Sequence, residues 1–338
     1  MRIAFIAVCV IKPTKRMFTS KDVAYRSIFV IDCISPRELR VRSGELLLED
    51  LEQEKVLTKL PFQKILALFV IGNIRITTPL IEKCKKNNVA LVVMKPSLRP
   101  VFFWSASAEA NFLVRKRQFE FGKDDISIAR VLVENKIKNQ QQLLRRTRRK
   151  DDLTVGAAYS CGIYAERARL SDGYNELMGI EGIASKTFFS AYFQNVAWDG
   201  RKPRVKVDYL NATLDIGYTY LFNFIECFVR MFGFDLYVGV YHRLWFKRKS
   251  LVCDLVEPFR CIIDKAIKNA INRKQFCETD FDNFKGEFRL KREKNKEYSK
   301  VFFDSLVPYK SEIFKYVQSF YRCFIGRKDT NFYPRFEI

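Results

Sequence analysis

Val101-Phe102-Phe103-Trp104-Ser105-Ala106-Ser107 and, a few positions on, Asn111-Phe112-Leu113-Val114-Arg115-Lys116-Arg117-Gln118-Phe119-Glu120-Phe121 differ in kind. The first opens with β-branched and aromatic residues directly after a Pro96-Ser97-Leu98-Arg99-Pro100 turn, as a strand does. The second repeats its apolar positions every three to four residues, the period of a helix. The change near Ser107 divides the chain and predicts an α+β fold. A small amino-terminal β-rich domain, residues 1–107, is expected to precede an all-helical carboxyl-terminal catalytic domain, residues 108–338.

Upstream of the change the pattern is one of strands. Residues 27–33 (SIFVIDC) are a short β-branched run. Residues 38–41 and 45–48 flank Arg42-Ser43-Gly44, a hairpin turn with glycine at a positive-φ position. Residues 65–71 (ILALFVI) form an unbroken apolar run, a buried strand ending at Gly72. Thr77-Thr78-Pro79 opens a helix, with threonine as N-cap and proline just inside, that runs to Asn87 and Asn88. Residues 89–94 (VALVVM) are the next strand. Residues 1–24 read as an extension: an apolar start runs into Lys12, Lys15 and Arg16 without the small-residue cleavage site of a signal peptide.

Downstream, helical periodicity covers 124–144, 172–194 with Asp172 as N-cap, 208–231, 251–268 and 302–324. Residues 195–207 are a polar, basic loop, 285–300 a hydrophilic connection, and 326–338 a loose tail.

A chain of 338 residues with 48% hydrophobic and 14% aromatic content can build substantial cores. Its net charge of +22 points to a polyanionic partner, most simply nucleic acid, or else an anionic membrane surface. No run approaches the roughly 18 apolar residues of a membrane span, so no membrane-spanning helix is expected. The nine cysteines are odd in number and scattered, with no C-x-x-C. They argue against a disulfide framework or a cysteine-rich zinc site, and for the cytoplasm.

The charge is concentrated. Arg145, Arg146, Arg148, Arg149 and Lys150 follow the 124–144 helix. Cations suit a helix C-terminus, but this cluster exceeds what capping needs, and contact with DNA phosphates explains it better. Arg201, Lys202 and Arg204 in the basic loop, and Arg248, are further candidate DNA contacts.

His242 is the only histidine. Twelve positions later Asp254 and Glu257 lie in an apolar run, at a spacing that puts both on one face of a helix. A buried carboxylate needs a cation or a hydrogen-bond donor. A divalent metal would serve; so would pairing of the acids with Arg248 or Arg260, leaving His242 as an ordinary satisfied histidine. Farther upstream, Gly179 and Gly182 flank Glu181 inside a predicted helix, each costing about 1 kcal/mol relative to alanine. Close approach of a backbone or ligand, or helix packing, would offset that.

Several of these residues belong to motifs that follow one another in a familiar order: Gly44-Glu45-Leu46, Pro61-Phe62, Gly72-Asn73, Ile76-Thr77-Thr78-Pro79-Leu80, Asn111 with Arg115 and Gln118, and Lys136-Ile137-Lys138-Asn139-Gln140. They continue with Gly179-Ile180-Glu181-Gly182-Ile183-Ala184, Asn211-Ala212-Thr213-Leu214 with Gly217-Tyr218, Gly239-Val240-Tyr241-His242, and Asp254-Leu255-Val256-Glu257-Pro258-Phe259-Arg260. The chain thereby resembles the CRISPR-associated spacer-acquisition integrase/endonuclease, the universal "Cas-one" family, with a lean toward type V systems.

The resemblance implies a metal-dependent DNA integrase and endonuclease. Glu181, His242 and Glu257 would bind Mg2+ or Mn2+, with Asp254 a second carboxylate supporting the site. A prespacer 3′-hydroxyl would attack the leader–repeat junction of a CRISPR array. Partners implied are duplex DNA, a second copy of the chain, a small "Cas-two" dimer and, in some systems, a "Cas-four" nuclease. Two other expectations compete: a basic structural DNA-binding subunit with a degenerate metal site, and a stand-alone nuclease for branched repair intermediates. The presence of all four polar site positions weighs against the first of these.

Overall fold

The computed structural model describes residues 19–96, 100–104, 111–122, 125–148 and 150–338, with Ile34 by its backbone alone. Helix α1 (Ser20–Tyr25) carries a capping box: the Asp22 N–H donates to the Thr19 hydroxyl and the Thr19 N–H to the Asp22 carboxylate. Val23 is buried and α1 packs beside the last helix of the chain, so this part of the expected extension is built into the fold.

Strands β1 (Ser27–Arg42), β2 (Glu45–Asp50), β3 (Lys55–Pro61), β4 (Ile65–Ile76), β5 (Ala90–Met94) and β6 (Pro100–Trp104) form one sheet in the order β3-β2-β1-β4-β5-β6, with α2 (Thr78–Asn87) linking β4 to β5. The β1–β4 and β4–β5 pairs are parallel and the others antiparallel. Ser43 and Gly44 both take positive φ, 50° and 82°, the backbone of a tight hairpin turn. β3 was not anticipated; it is a partly exposed edge strand with Lys55, Leu57 and Lys59 on its exposed face.

β4 joins the two parts of the chain. Residues 65–71 are buried throughout because both faces of the strand are covered. Leu68 and Val70 pack with Leu80 and Cys84 of α2, while Phe69 and Ile71 enter the helical core, the Phe69 ring lying 5.0 Å from that of Phe303. One core therefore continues past the predicted boundary at Ser107, a residue outside the described ones.

The carboxyl-terminal part contains α3 (Phe112–Glu120), α4 (Ser127–Arg145), α5 (Asp152–Leu170), α6 (Tyr174–Tyr192), α7 (Tyr209–Met231), α8 (Ser250–Val256) and α9 (Arg260–Asn272), followed by β7 (Phe281–Phe284), β8 (Glu287–Leu290), α10 (Asn295–Leu306) and α11 (Lys310–Ile325). It is helical but not all-helical. Lys285 and Gly286, with φ of 52° and 81°, close a β7–β8 hairpin where a plain hydrophilic connection was expected. α5 was missed because small residues spread around it leave little amphipathic contrast. Gly173, not Asp172, occupies the cap position of α6. The single helix expected over 302–324 is split in two at a turn holding Pro308.

The tail is not loose. Tyr333, Phe336 and Ile338 are buried. Asn135 on α4 exchanges hydrogen bonds with the backbone of Phe336, and Asn139 donates to the Phe336 carbonyl and accepts from the Ile338 N–H. Helix α3 holds the segment that leads to His242. Asn111, Arg115 and Gln118 donate to the carbonyls of Phe232, Gly233, and Asp235 and Val238. Among the described residues there is no disulfide, and no helix is long and apolar enough to cross a membrane.

Candidate active site

A cleft of about 1430 Å³ opens between α4, α6, α7 and the α8–α9 region, and Glu181, His242 and Glu257 all line it. Each arrives by a different route. Glu181 projects from α6 between two glycines, where no protein atom lies within 4 Å of an added Cβ. Helix packing thus does not account for Gly179 and Gly182; they leave the helix surface beside Glu181 open. His242 follows the loop pinned by α3. Glu257 sits where α8 breaks into a 3-10 turn at Pro258, which has no N–H to continue the helix.

That turn gives the two acids of the pair separate duties. Asp254 is fully buried and outside the cleft lining. Its carboxylate accepts the N–H groups of Val240 at 2.6 Å, Tyr241 at 3.1 Å and His242 at 2.8 Å, and meets His242 Nδ1 at 2.6 Å. A carboxylate already receiving three backbone donors is an acceptor here, so Nδ1 carries a proton and, in the neutral ring, the lone pair is left on Nε2. Gly239 makes the approach feasible: a Cβ there would stand 2.5 Å from Asp254 Oδ2.

Glu257 is buried and its oxygens are held by cations. Arg260 Nε and Nη2 donate to it at 2.8 and 2.9 Å, and Lys136 Nζ lies 2.8 Å from Oε2. The pairing with Arg260 is the one the sequence allowed as an alternative. The same Lys136 ammonium lies 2.5 Å from Glu181 Oε1, while the Tyr241 hydroxyl donates to Glu181 Oε2 at 2.5 Å. Burial would raise the Glu257 pKa, but Arg260, Lys136 and His242 outweigh it and hold the group far below the ordinary carboxylate range. Lys136 is the opposite case: burial lowers its pKa, and Glu181 and Glu257 more than restore it. Among the described residues no three His, Cys, Asp or Glu side chains converge closely enough to hold a metal ion as they stand. The two carboxylates converge instead on the ammonium of Lys136.

This donor set fits a divalent cation. Two carboxylates already share one positive charge, and an imidazole on the same cleft has its far nitrogen free because its near one is fixed by a buried acid.

The predicted DNA contacts divide. Arg201, Arg204 and Arg248 line the cleft, although Arg201 also pairs with Asp215 at 2.5 Å and with Asn211 at 3.0 Å. Lys202 lies outside the lining, paired with Asp199 at 3.5 Å. Arg145, Arg146, Arg148 and Lys150 are exposed at the α4–α5 junction, away from the cleft, and Arg146 donates to the Ile338 carbonyl. Arg149 lies outside the described residues. The sequence reading gave no role to Lys136 or Tyr241, although both stand within its own motifs. It also missed Asp264, which lines the cleft and accepts the Tyr218 hydroxyl at 2.6 Å.

A β-rich amino-terminal region followed by a helical carboxyl-terminal one, with carboxylates and an imidazole facing a cationic cleft, defines a class of α+β protein with a polar site suited to an anionic ligand. The family model described as CRISPR associated protein Cas1 matches residues 34–303. The chain belongs to the Cas1 family. It is 27% identical over 284 residues to the CRISPR-associated endonuclease Cas1 1 of Thermodesulfovibrio yellowstonii, covering 80% of this chain and 89% of that one. Among solved structures it resembles a chain of a Cas6-RT-Cas1–Cas2 complex, with a TM-score of 0.74 and 17% identity over 91% of this chain and 36% of the other. It also resembles a casposase bound to integration product, with a TM-score of 0.72 and 18% identity over 92% and 94%. At these identities the structural likenesses establish the fold.

Proposed function

We propose that this protein is a metal-dependent DNA integrase of CRISPR adaptation with associated endonuclease activity. The observation that carries this reading is the convergence of Glu181 and Glu257 on one cation, beside an imidazole held by Asp254, inside a cationic cleft. Glu181, Glu257 and His242 Nε2 would hold Mg2+ or Mn2+, which when bound polarises a phosphoryl oxygen. Asp254 keeps the imidazole in the ligating tautomer. Arg201, Arg204 and Arg248 grip phosphates without reading sequence. Lys136, freed from the carboxylates, remains as a positive charge beside the reacting phosphate.

In strand transfer the prespacer 3′-oxygen forms a bond to phosphorus at the leader–repeat junction. The bond to the old 3′-oxygen breaks; the attacking hydroxyl loses a proton and the departing oxygen gains one. Attack by water on the same phosphorus is the endonuclease reaction. The protein works as a homodimer with a small Cas2-type partner, and some assemblies add a Cas4-type nuclease. A Cas6-RT-Cas1–Cas2 complex among its structural likenesses supports the small partner.

The test is a joining assay with labelled prespacer duplex and a supercoiled plasmid carrying a CRISPR array, in Mn2+, Mg2+ or EDTA, with and without the small partner. Metal-dependent joining that His242→Ala or Glu181→Ala abolishes, with DNA binding retained, is the expected result. Binding without joining under every condition would indicate a structural subunit, and cleavage of branched DNA alone a repair nuclease.

A further inference from the structure

Glu181 and Glu257 meet Lys136 with one oxygen each. Its ammonium lies 2.5 Å from Glu181 Oε1 and 2.8 Å from Glu257 Oε2. The second oxygen of each acid has a donor of its own. Arg260 Nη2 donates to Glu257 Oε1 at 2.9 Å, and the Tyr241 hydroxyl donates to Glu181 Oε2 at 2.5 Å. Both acids thus turn a single oxygen toward the point they share. For Glu181, among the described residues, the donor that decides this is a neutral phenol. Such a donor on an ionised carboxylate makes a charge-assisted hydrogen bond, about twice as strong as one between neutral groups.

Tyr241 is fixed without help from Glu181. Its ring is buried, with its centre 5.6 Å from that of Tyr174 and 5.2 Å from that of His242. The Tyr174 ring is capped in turn by the Arg243 guanidinium, 4.3 Å from its centre. The Tyr241 N–H donates to Asp254 Oδ2 at 3.1 Å, so the hydroxyl is aimed from main chain already anchored on the buried acid. Glu181 stands on α6 beside open helix surface, with no protein atom within 4 Å of a Cβ added at Gly179 or Gly182. Its carboxylate is therefore oriented by hydrogen bonding more than by packing.

The number of oxygens a carboxylate offers sorts divalent ions. Ca2+ takes roughly six to eight oxygen ligands in flexible geometry and accepts a carboxylate through both oxygens. Mg2+ demands a near-ideal octahedron, and Mn2+ shares the octahedral preference. The two oxygens of one carboxylate stand too close together to fill two right-angled positions of an octahedron.

We propose that Tyr241 restricts Glu181 to one oxygen and thereby sets the cation selectivity of the site, favouring Mg2+ and Mn2+ over Ca2+. Tyr241 is a positioning residue, since it acts through Glu181. The proposal rests on the metal-binding part of the proposed function and concerns the ion alone, with neither DNA nor catalysis.

The test is Mn2+ binding by the full-length protein, read from the electron paramagnetic resonance signal of free Mn2+, with Ca2+ titrated in as competitor. Tyr241→Phe deletes the hydroxyl and keeps the ring in its packing. The ratio of Ca2+ to Mn2+ affinity should rise about tenfold in this variant, the lower end of what removing a ligand's hydrogen-bond partner does to metal affinity. Lys136→Met takes away the partner of the other oxygen, and should move the affinities of both ions together and leave their ratio as in wild type. An unchanged ratio in Tyr241→Phe, with Mn2+ still bound, would sink the proposal alone. So would an equal loss of both ions, the result a merely structural tyrosine would give. If wild type binds no Mn2+, or binds it as well after Glu181→Ala, the metal-site reading falls and the proposal falls with it.

Discussion

Nδ1 of His242 lies 2.6 Å from Oδ1 of Asp254, and the same carboxylate gathers the N–H groups of Val240, Tyr241 and His242. Asp254 is thus the anchor of the histidine rather than a group offered to substrate. Asp254→Asn would put an amide NH2 among backbone donors and remove the charge that fixes the ring. Mn2+ affinity, followed by electron paramagnetic resonance, should fall about 10–100-fold, as for other partners that orient a ligating histidine. The melting temperature should fall as well, since a buried donor left unpaired costs about 1–3 kcal/mol. Unchanged Mn2+ affinity would show that His242 does not depend on Asp254.

Lys136 holds the two carboxylates of the site together. Among the described residues, without this ammonium Glu181 keeps the Tyr241 hydroxyl alone and Glu257 keeps Arg260 alone. Lys136→Met should therefore lower stability in EDTA by about 3 kcal/mol, the scale of breaking a buried pair. Divalent ion should restore more of the melting temperature in this variant than it adds to wild type, because the ion replaces the missing charge. Equal metal-induced shifts in the two proteins would mean that the ion binds elsewhere.

Asp264 should set a pH dependence of stability. Burial raises its pKa to about 7 against the pull of the Tyr218 hydrogen bond, Arg260, Lys136 and Arg201. In the unfolded chain it titrates near 3.8. The stabilising contribution is fully present below the unfolded value and is lost as pH rises through the folded one, where the buried group must ionise. Asp264→Asn keeps an oxygen for the Tyr218 hydroxyl and has no proton to lose. Its stability should fall less than that of wild type between pH 4 and pH 8, leaving it more stable at pH 8 by on the order of 2–4 kcal/mol. Parallel denaturation curves for the two proteins across that range would refute this.

Local chemistry made much of this fold legible. The unbroken run of residues 65–71 announced a strand covered on both faces, and Ser43-Gly44 announced its turn. What escaped depends on partners distant in the chain. Asn135 and Asn139 look like polar residues on a helix until the tail docks on them, and the tail looks loose until those amides are counted. The site divides in the same way. The spacing of Asp254 and Glu257 showed that they share a helix face, but the turn at Pro258 then aims one at the His242 loop and the other at α4. The role of Lys136 follows from three-dimensional convergence alone, since helical periodicity says nothing about which carboxylates a lysine on α4 will meet.

Gly239 offers a test of the site that touches no charged group. A Cβ at this position would meet Asp254 Oδ2 at 2.5 Å and the backbone carbon and Cβ of Ser250 at 3.0 Å. None of these atoms can yield cheaply, since Asp254 is fixed by three backbone donors and Ser250 begins α8. Gly239→Ala should therefore push the His242 loop away from Asp254. Stability should fall by about 1–3 kcal/mol, the cost of overpacking a tight contact, and Mn2+ affinity should fall as it does in Asp254→Asn. In the double variant Gly239→Ala with Asp254→Asn the two losses of affinity should not add, because both act through the one bond to His242 Nδ1. Additive losses would place the effect of Gly239 somewhere other than on that bond.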